Sequence, residues 1–182
     1  MKIIYETQRL IIRQWEQSDA GDLYEYCKDP ETAKYLHFEP YKNIDVAKQR
    51  IQTIKEKYQE NSSIAPFAVV LKQENKVIGD INISAYNKSA GGCVRIGYVF
   101  NSKYWGRGYA TEVVTALFKY IKKNKIAKRI EATHDVANFK SGNVMKRAGM
   151  TFEGILRKAG ENNFHSRYDV ALYSILDEEI EE

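Results

Sequence analysis

The segment Lys103–Glu112, KYWGRGYATE, restricts most strongly what this chain can fold into. It follows an apolar run, Ile96–Phe100, and opens an amphipathic run that ends near Lys123. A chain that passes from a buried strand through two glycines into a helix leaves the helix's first N–H groups without intrahelical partners. That end also carries roughly half a positive charge. With no Cβ on Gly106 or Gly108, backbone amides can approach a phosphate closely. The segment therefore predicts a cradle for a phosphorylated cofactor.

The glycine spacing narrows the choice. A P-loop needs Gly, four residues, then Gly-Lys-Ser/Thr, and the chain has no such run. The dinucleotide fingerprint needs three glycines, and Gly106-Arg107-Gly108-Tyr109-Ala110-Thr111 supplies two. Residues 105–110 instead resemble motif A of the GCN5-related N-acetyltransferases (GNAT), R/Q-x-x-G-x-G/A. Gly108 and Ala110 match, and Trp105 stands where Gln or Arg is usual. Backbone amides do the work there, so the departure costs little. The form YWGRGYATE resembles the RimJ/RimL branch, which modifies ribosomal-protein N-termini. The resemblance continues along the chain: Thr7–Arg13 is similar to that branch's first strand. Asn138-Phe139-Lys140-Ser141 with Val144–Met150 is similar to its N-x-x-S…K-x-G-F element, and Glu153-Gly154 and Arg167-Tyr168-Asp169 follow in order.

At 182 residues, 43% of them hydrophobic, the chain reads as a single acetyltransferase domain over residues 1–182. No apolar stretch approaches 18 residues, and Glu6 comes too early for a secretory signal, so no membrane role is expected. Cys27 and Cys93 lie far apart, which fits neither a disulfide framework nor a metal site; a reducing cytoplasm is the simple inference. The net charge of +4 suits an anionic cofactor but is too mild to argue for nucleic acid. Lys119–Arg129 reads as the solvated end of a helix, where cations suit the dipole. The acidic tail after Asp177 reads as a frayed end.

Periodicity predicts the elements. Residues 8–15 are extended. A short helix covers Ala20–Cys27, and Ile44, Ala47, Ile51, Ile54 and Tyr58 mark a second. After a break at Asn61–Pro66 come strands at 67–71, 77–85 and 93–101, the last entered through a turn at Ala90-Gly91-Gly92. A helix at 109–123, a strand at 128–136, a helix at 141–148 ending at Gly149, and a hairpin of 151–158 with 165–176 complete the order. The resemblance implies an α+β, three-layer GNAT-like fold. Its central, mixed, twisted sheet has about seven strands and flanking helices, and the fourth and fifth strands, parallel neighbours, splay apart.

The resemblance also implies acetyl-CoA as co-substrate and assigns its site. Tyr98, Val99 and Phe100 would pair with the pantetheine arm. The amides of Gly106, Arg107, Gly108, Tyr109, Ala110 and Thr111 would hold the pyrophosphate. Arg107 can also fork a phosphate with its side chain. Asn138 and Ser141 would meet the pantetheine and thioester from the far side, with Asn138 doubling as a helix cap. No metal is implied. Two ionisable groups common in the family are missing: Met145 occupies the place of a Tyr, and Arg95 that of a Glu, which cannot act as a base. Ser141 and Glu161 are the catalytic pair expected from the branch, holding a water. His134 is a further candidate base whose strand face is otherwise apolar.

The acceptor is argued from magnitudes. Neutralising a lysine amine at pH 7 costs about 4.6 kcal/mol, and an α-amine only about 1.4 kcal/mol. A site without a strong base therefore favours the α-amine of a peptide or protein N-terminus. A small amine (a polyamine, an amino sugar or an antibiotic) is the alternative, and a non-catalytic CoA-binding module is a third reading. The loops Tyr35–Tyr41 and Glu161–His165 would line the acceptor slot. A monomer and a homodimer are equally open.

Overall fold

A computed structural model of the chain describes residues 2–36, 38–60, 63–87, 92–161 and 166–181. The expected break at Asn61, the turn at Ala90-Gly91, and the acceptor-slot residues at 37 and 162–165 fall outside them.

Among the described residues, eight strands form one sheet in the order β1-β2-β3-β4-β5-β6-β8-β7. They are β1 (Ile3–Glu6), β2 (Leu10–Arg13), β3 (Pro66–Leu71), β4 (Lys76–Asn87), β5 (Cys93–Phe100), β6 (Arg129–Asp135), β7 (Thr151–Glu161) and β8 (Arg167–Leu176). The helices are α1 (Ala20–Cys27), α2 (Pro30–Ala33), α3 (Ile44–Glu60), α4 (Tyr109–Lys123) and α5 (Phe139–Arg147). Neighbouring strands are antiparallel except β5 and β6, which are joined by the α4 crossover and run parallel.

The sheet is covered on both faces because its central strands are apolar on both. Phe67, Val69, Ile81, Ile96 and Phe100 pack with Val113, Val114, Leu117 and Ile121 of α4. Ala68, Val70 and Val77 pack on the other face with Leu23 and Tyr26 of α1 and Ala47, Ile51 and Ile54 of α3. At about 25 cal/mol per Å² of apolar surface, these two clusters are the main force holding the three layers together. Among the described residues, no helix is long and apolar enough to cross a membrane.

The sheet has eight strands rather than about seven. The additional one is β1, four residues with adjacent rather than alternating isoleucines, so its own pattern is silent. It forms because a tight turn folds it onto β2, with the Thr7 amide donating to the Leu10 carbonyl at 2.9 Å. The short α2 was also missed. Its signal is local: Pro30 opens the helix and the Asp29 carboxylate accepts from the Glu31 amide at 3.1 Å.

Candidate active site

The site begins where the sheet comes apart. β5 pairs with β6 only from Cys93–Arg129 to Ile96–Ala132. Beyond that point Gly97–Phe100 has no partner on β6, while Thr133–Asp135 stays paired to β8. An unpaired strand edge normally lies at a sheet's rim; here it lies inside, ready to pair with an extended ligand. The gap opens into a cleft of ≈ 650 Å³. Its walls include Tyr98, Val99, Phe100, Gly106, Gly108, Tyr109, Ala110, Thr111, Asn138 and Ser141. Of the expected cofactor residues, Arg107 alone is not in the lining.

Gly106 and Gly108 have φ of +76° and +80°, a left-handed backbone that glycine adopts without strain. A Cβ on Gly106 would meet nothing within 4 Å, and one on Gly108 would meet only Arg9 Nη2 at 3.6 Å. Conformation, not crowding, demands glycine here, and the space beside the amides is open. Gly108 is the N-cap of α4, so the first helical amides face the cleft. Arg9 braces the turn from below. Its Nε donates to Glu112 Oε2 at 2.7 Å, its Nη1 donates to the Arg107 carbonyl at 3.1 Å, and its guanidinium lies 4.5 Å from the Tyr109 ring. Burial works against the Glu112 charge, but hydrogen bonds from Thr7 and Arg9 hold its carboxyl below the usual range. Trp105, in the Gln/Arg position, donates Nε1–H to the Phe100 carbonyl at 2.7 Å and so pins the turn to the end of β5.

The Arg107 guanidinium lies over the Tyr104 ring, 5.4 Å from its centre. The cations that do line the cleft are Lys34, after α2, and Lys140 and Arg147 of α5, with Lys140 Nζ 4.4 Å from the Trp105 ring. The sequence carried Lys140 in plain view, inside Asn138–Ser141, but only the docking of α5 onto the turn gives it this place.

Asn138 caps α5: its Oδ1 accepts from the Ser141 amide at 3.3 Å. The Ser141 hydroxyl meets Tyr98, not Glu161. Tyr98 Oη lies 2.8 Å from Ser141 Oγ and donates to the Ser141 carbonyl at 2.9 Å. Burial pushes the Tyr98 phenol up to about 12, so it stays neutral across the working range. One phenol thus bridges the splay from β5 to α5. Glu161 is exposed at the end of β7, opposite Arg167, and does not line the cleft. Met145 is 1% exposed in the core. His134 is half-buried beneath α5, with Nδ1 against the Asp135 carbonyl at 2.7 Å. Its buried Nε2 has no hydrogen-bond partner among the described residues and faces Gly142. Arg95 donates to Glu131 of β6 at 3.2 Å, and Arg129 holds the other oxygen of that carboxylate at 3.0 Å.

The sequence matches the acetyltransferase (GNAT) domain family over residues 9–151. It is 34% identical to the uncharacterized N-acetyltransferase YnaD of Bacillus subtilis, over 95% of this chain and 96% of that one. A GNAT-family acetyltransferase crystal structure from Bacillus anthracis superposes with a TM-score of 0.84 at 30% identity, covering 98% of this chain and 100% of that one. The fold is shared with RimL, a ribosomal L7/L12 alpha-N-protein acetyltransferase solved with coenzyme A. There the TM-score is 0.83 at 19% identity, over 97% of this chain and 99% of that one. An internal strand edge leading to a glycine-capped helix, in a chain with these relatives, has one reading: the protein belongs to the GNAT acetyltransferase family and is an acyltransferase of the N-acetyltransferase type.

Proposed function

We propose that this acetyltransferase moves the acetyl group of acetyl-CoA to the free α-amine of a peptide or protein N-terminus. The observation that carries the reading is the unpaired edge of β5 at Tyr98–Phe100, running directly to the amides that open α4. An extended amide-bearing arm ending in a pyrophosphate matches that sequence of groups. In this reading the backbone of Tyr98, Val99 and Phe100 pairs with the pantetheine. The amides of residues 106–111 hold the pyrophosphate, with Lys140 adding charge beside them. Ser141 and Tyr98 present neutral O–H groups to the thioester end. Acetyl-CoA supplies an activated acyl thioester, and the protein supplies position and proton handling.

The choice of an α-amine rests on two supports. Its deprotonation is cheaper than that of a lysine by about 3 kcal/mol at pH 7. RimL, which shares the fold, is an alpha-N-protein acetyltransferase. Mass spectrometry of a mixed acceptor pool tests it: free-N-terminal Ala and Ser peptides, N-blocked lysine peptides, polyamines and aminoglycosides. The free-N-terminal peptides are expected to be acetylated fastest. Preferential acetylation of a polyamine or an aminoglycoside would replace this reading with a small-amine enzyme.

A further inference from the structure

We propose that Asp80 of β4 is the general base that takes a proton from the acceptor amine, with Tyr26 as the residue that positions it. This rests on acetyl transfer to an amine but not on which amine.

Asp80 is not itself in the cleft lining, but it lies directly opposite Val99, on the unpaired stretch of β5, and Val99 is in it. Such antiparallel partners sit about 5 Å apart and project from the same face of the sheet. The Tyr26 hydroxyl of α1 donates to Asp80 Oδ2 at 3.0 Å, and Tyr26 is itself fully buried. Oδ1 accepts no hydrogen bond among the described residues, and Asp80 as a residue is half-buried rather than sealed, which leaves a path for one water. A carboxylate fixed through one oxygen and open at the other is poised to accept a proton.

The surroundings leave Asp80 as the group that titrates. Facing it are Tyr26 and Cys27 of α1, Tyr41 of the following loop, and Tyr58 and Arg50 of α3. Burial pushes the Cys27 thiol and the Tyr26, Tyr41 and Tyr58 phenols up, so they stay neutral. Burial also pushes the Asp80 carboxyl up to about 6, while the Tyr26 hydrogen bond and Arg50 pull it back. It is therefore ionised at pH 7 and more basic than an ordinary carboxylate. The other carboxylates are placed less well. Glu131 is tied to two arginines, Glu161 is exposed away from the cleft, and Glu31, which lines it, is exposed and lies 4.0 Å from the Lys140 ammonium.

The step balances. Asp80 takes one proton from the acceptor ammonium, directly or across one water. The freed nitrogen lone pair bonds to the acetyl carbonyl carbon, the C–S bond breaks, and its electron pair leaves with sulfur. The nitrogen sheds a second proton, which ends on sulfur to give the thiol, and Asp80 returns its proton to solvent.

Asp80→Asn keeps the shape and the Tyr26 contact. On whichever amine of the pool turns over fastest, it should lower kcat at least 50-fold at pH 7 and leave the KM for acetyl-CoA within twofold. The parent's kcat should rise with pH through about 6, and the variant should lose that rise. Tyr26→Phe removes a hydrogen bond that holds the carboxyl down, so its rise should move to higher pH. Without any amine, release of CoA thiol to water should slow in Asp80→Asn as well. An Asp80→Asn enzyme within threefold of the parent, or one that keeps the rise near 6, overturns the assignment. A preference for polyamine over peptide overturns only the α-amine reading and leaves this test standing.

Discussion

The two walls of the cleft are built by opposite means. On the cofactor wall, the polar groups that shape the turn are pinned: Arg9 holds the Arg107 carbonyl and Glu112, Trp105 holds the Phe100 carbonyl, and Asn138 caps α5. What remains open there is backbone, the edge of β5 and the first amides of α4. Behind Val99, on the acceptor side, the spare capacity belongs to a side chain, Asp80 Oδ1, half-buried among tyrosines from α1, α3 and the loop between them. A backbone cradle is cheap to keep open, because glycine conformation alone makes it. A half-satisfied carboxylate is not cheap, since burying a charge destabilises the fold unless it is compensated.

The largest expected effect tests that asymmetry. The Asp80 carboxyl sits at about 6 in the fold against an ordinary 3.8, so the folded state binds the proton more tightly than the unfolded state. As pH rises from 3.8 through 6, the parent therefore loses stability, and the loss is complete above 6. Asp80→Asn escapes it. The variant should be more stable than the parent by about 3 kcal/mol at pH 8, with the difference vanishing toward pH 4. Denaturant melts at both pH values measure this without any acceptor. Equal stability at pH 8 would mean that Asp80 carries no burial penalty, and the contrast between the walls would fall.

The cofactor wall should respond in binding instead. Gly108→Val forces a branched residue into φ +80° at the first amides of α4. It should weaken acetyl-CoA at least tenfold in calorimetric titration, about 1.4 kcal/mol. Unchanged affinity in a folded variant would remove the pyrophosphate from this turn.

What could be read from the sequence follows the same division. The Gly106–Gly108 turn was legible because glycine adopts that backbone without strain, and α4 emerged with the expected bounds from its own apolar period. Asn138 was legible as a cap for the same local reason. Asp80 was not. In the alternation of β4 it reads as a solvent-facing residue of a half-buried strand, and only the packing of Tyr26 and α3 over that face buries it. The Tyr98–Ser141 contact, 43 residues apart in sequence, was hidden in the same way, as was the shelter of Met145. β1 escaped notice because four residues carry no period of their own.

A smaller effect should come from the brace beneath the turn. Arg9 touches the turn through a carbonyl and an aromatic ring rather than through the expected phosphate amides, so it acts by orientation. Arg9→Ala should raise the acetyl-CoA Kd about threefold, under 1 kcal/mol, with kcat at saturation unchanged. A loss of tenfold or more would show that Arg9 contacts the phosphate itself.

The smallest effect expected is at Glu161, the carboxylate that the branch resemblance paired with Ser141. That pairing would give a 10- to 100-fold loss of kcat in Glu161→Gln, the low end of what a lost general base costs. The geometry argues otherwise. The Ser141 hydroxyl is already engaged by Tyr98, and Glu161 lies exposed at the end of β7, outside the cleft lining. Glu161→Gln is therefore expected to keep kcat within threefold of the parent between pH 6 and 9. If kcat falls tenfold instead and the loss tracks one ionisation, Glu161 is the base, and the assignment of that role to Asp80 falls with it.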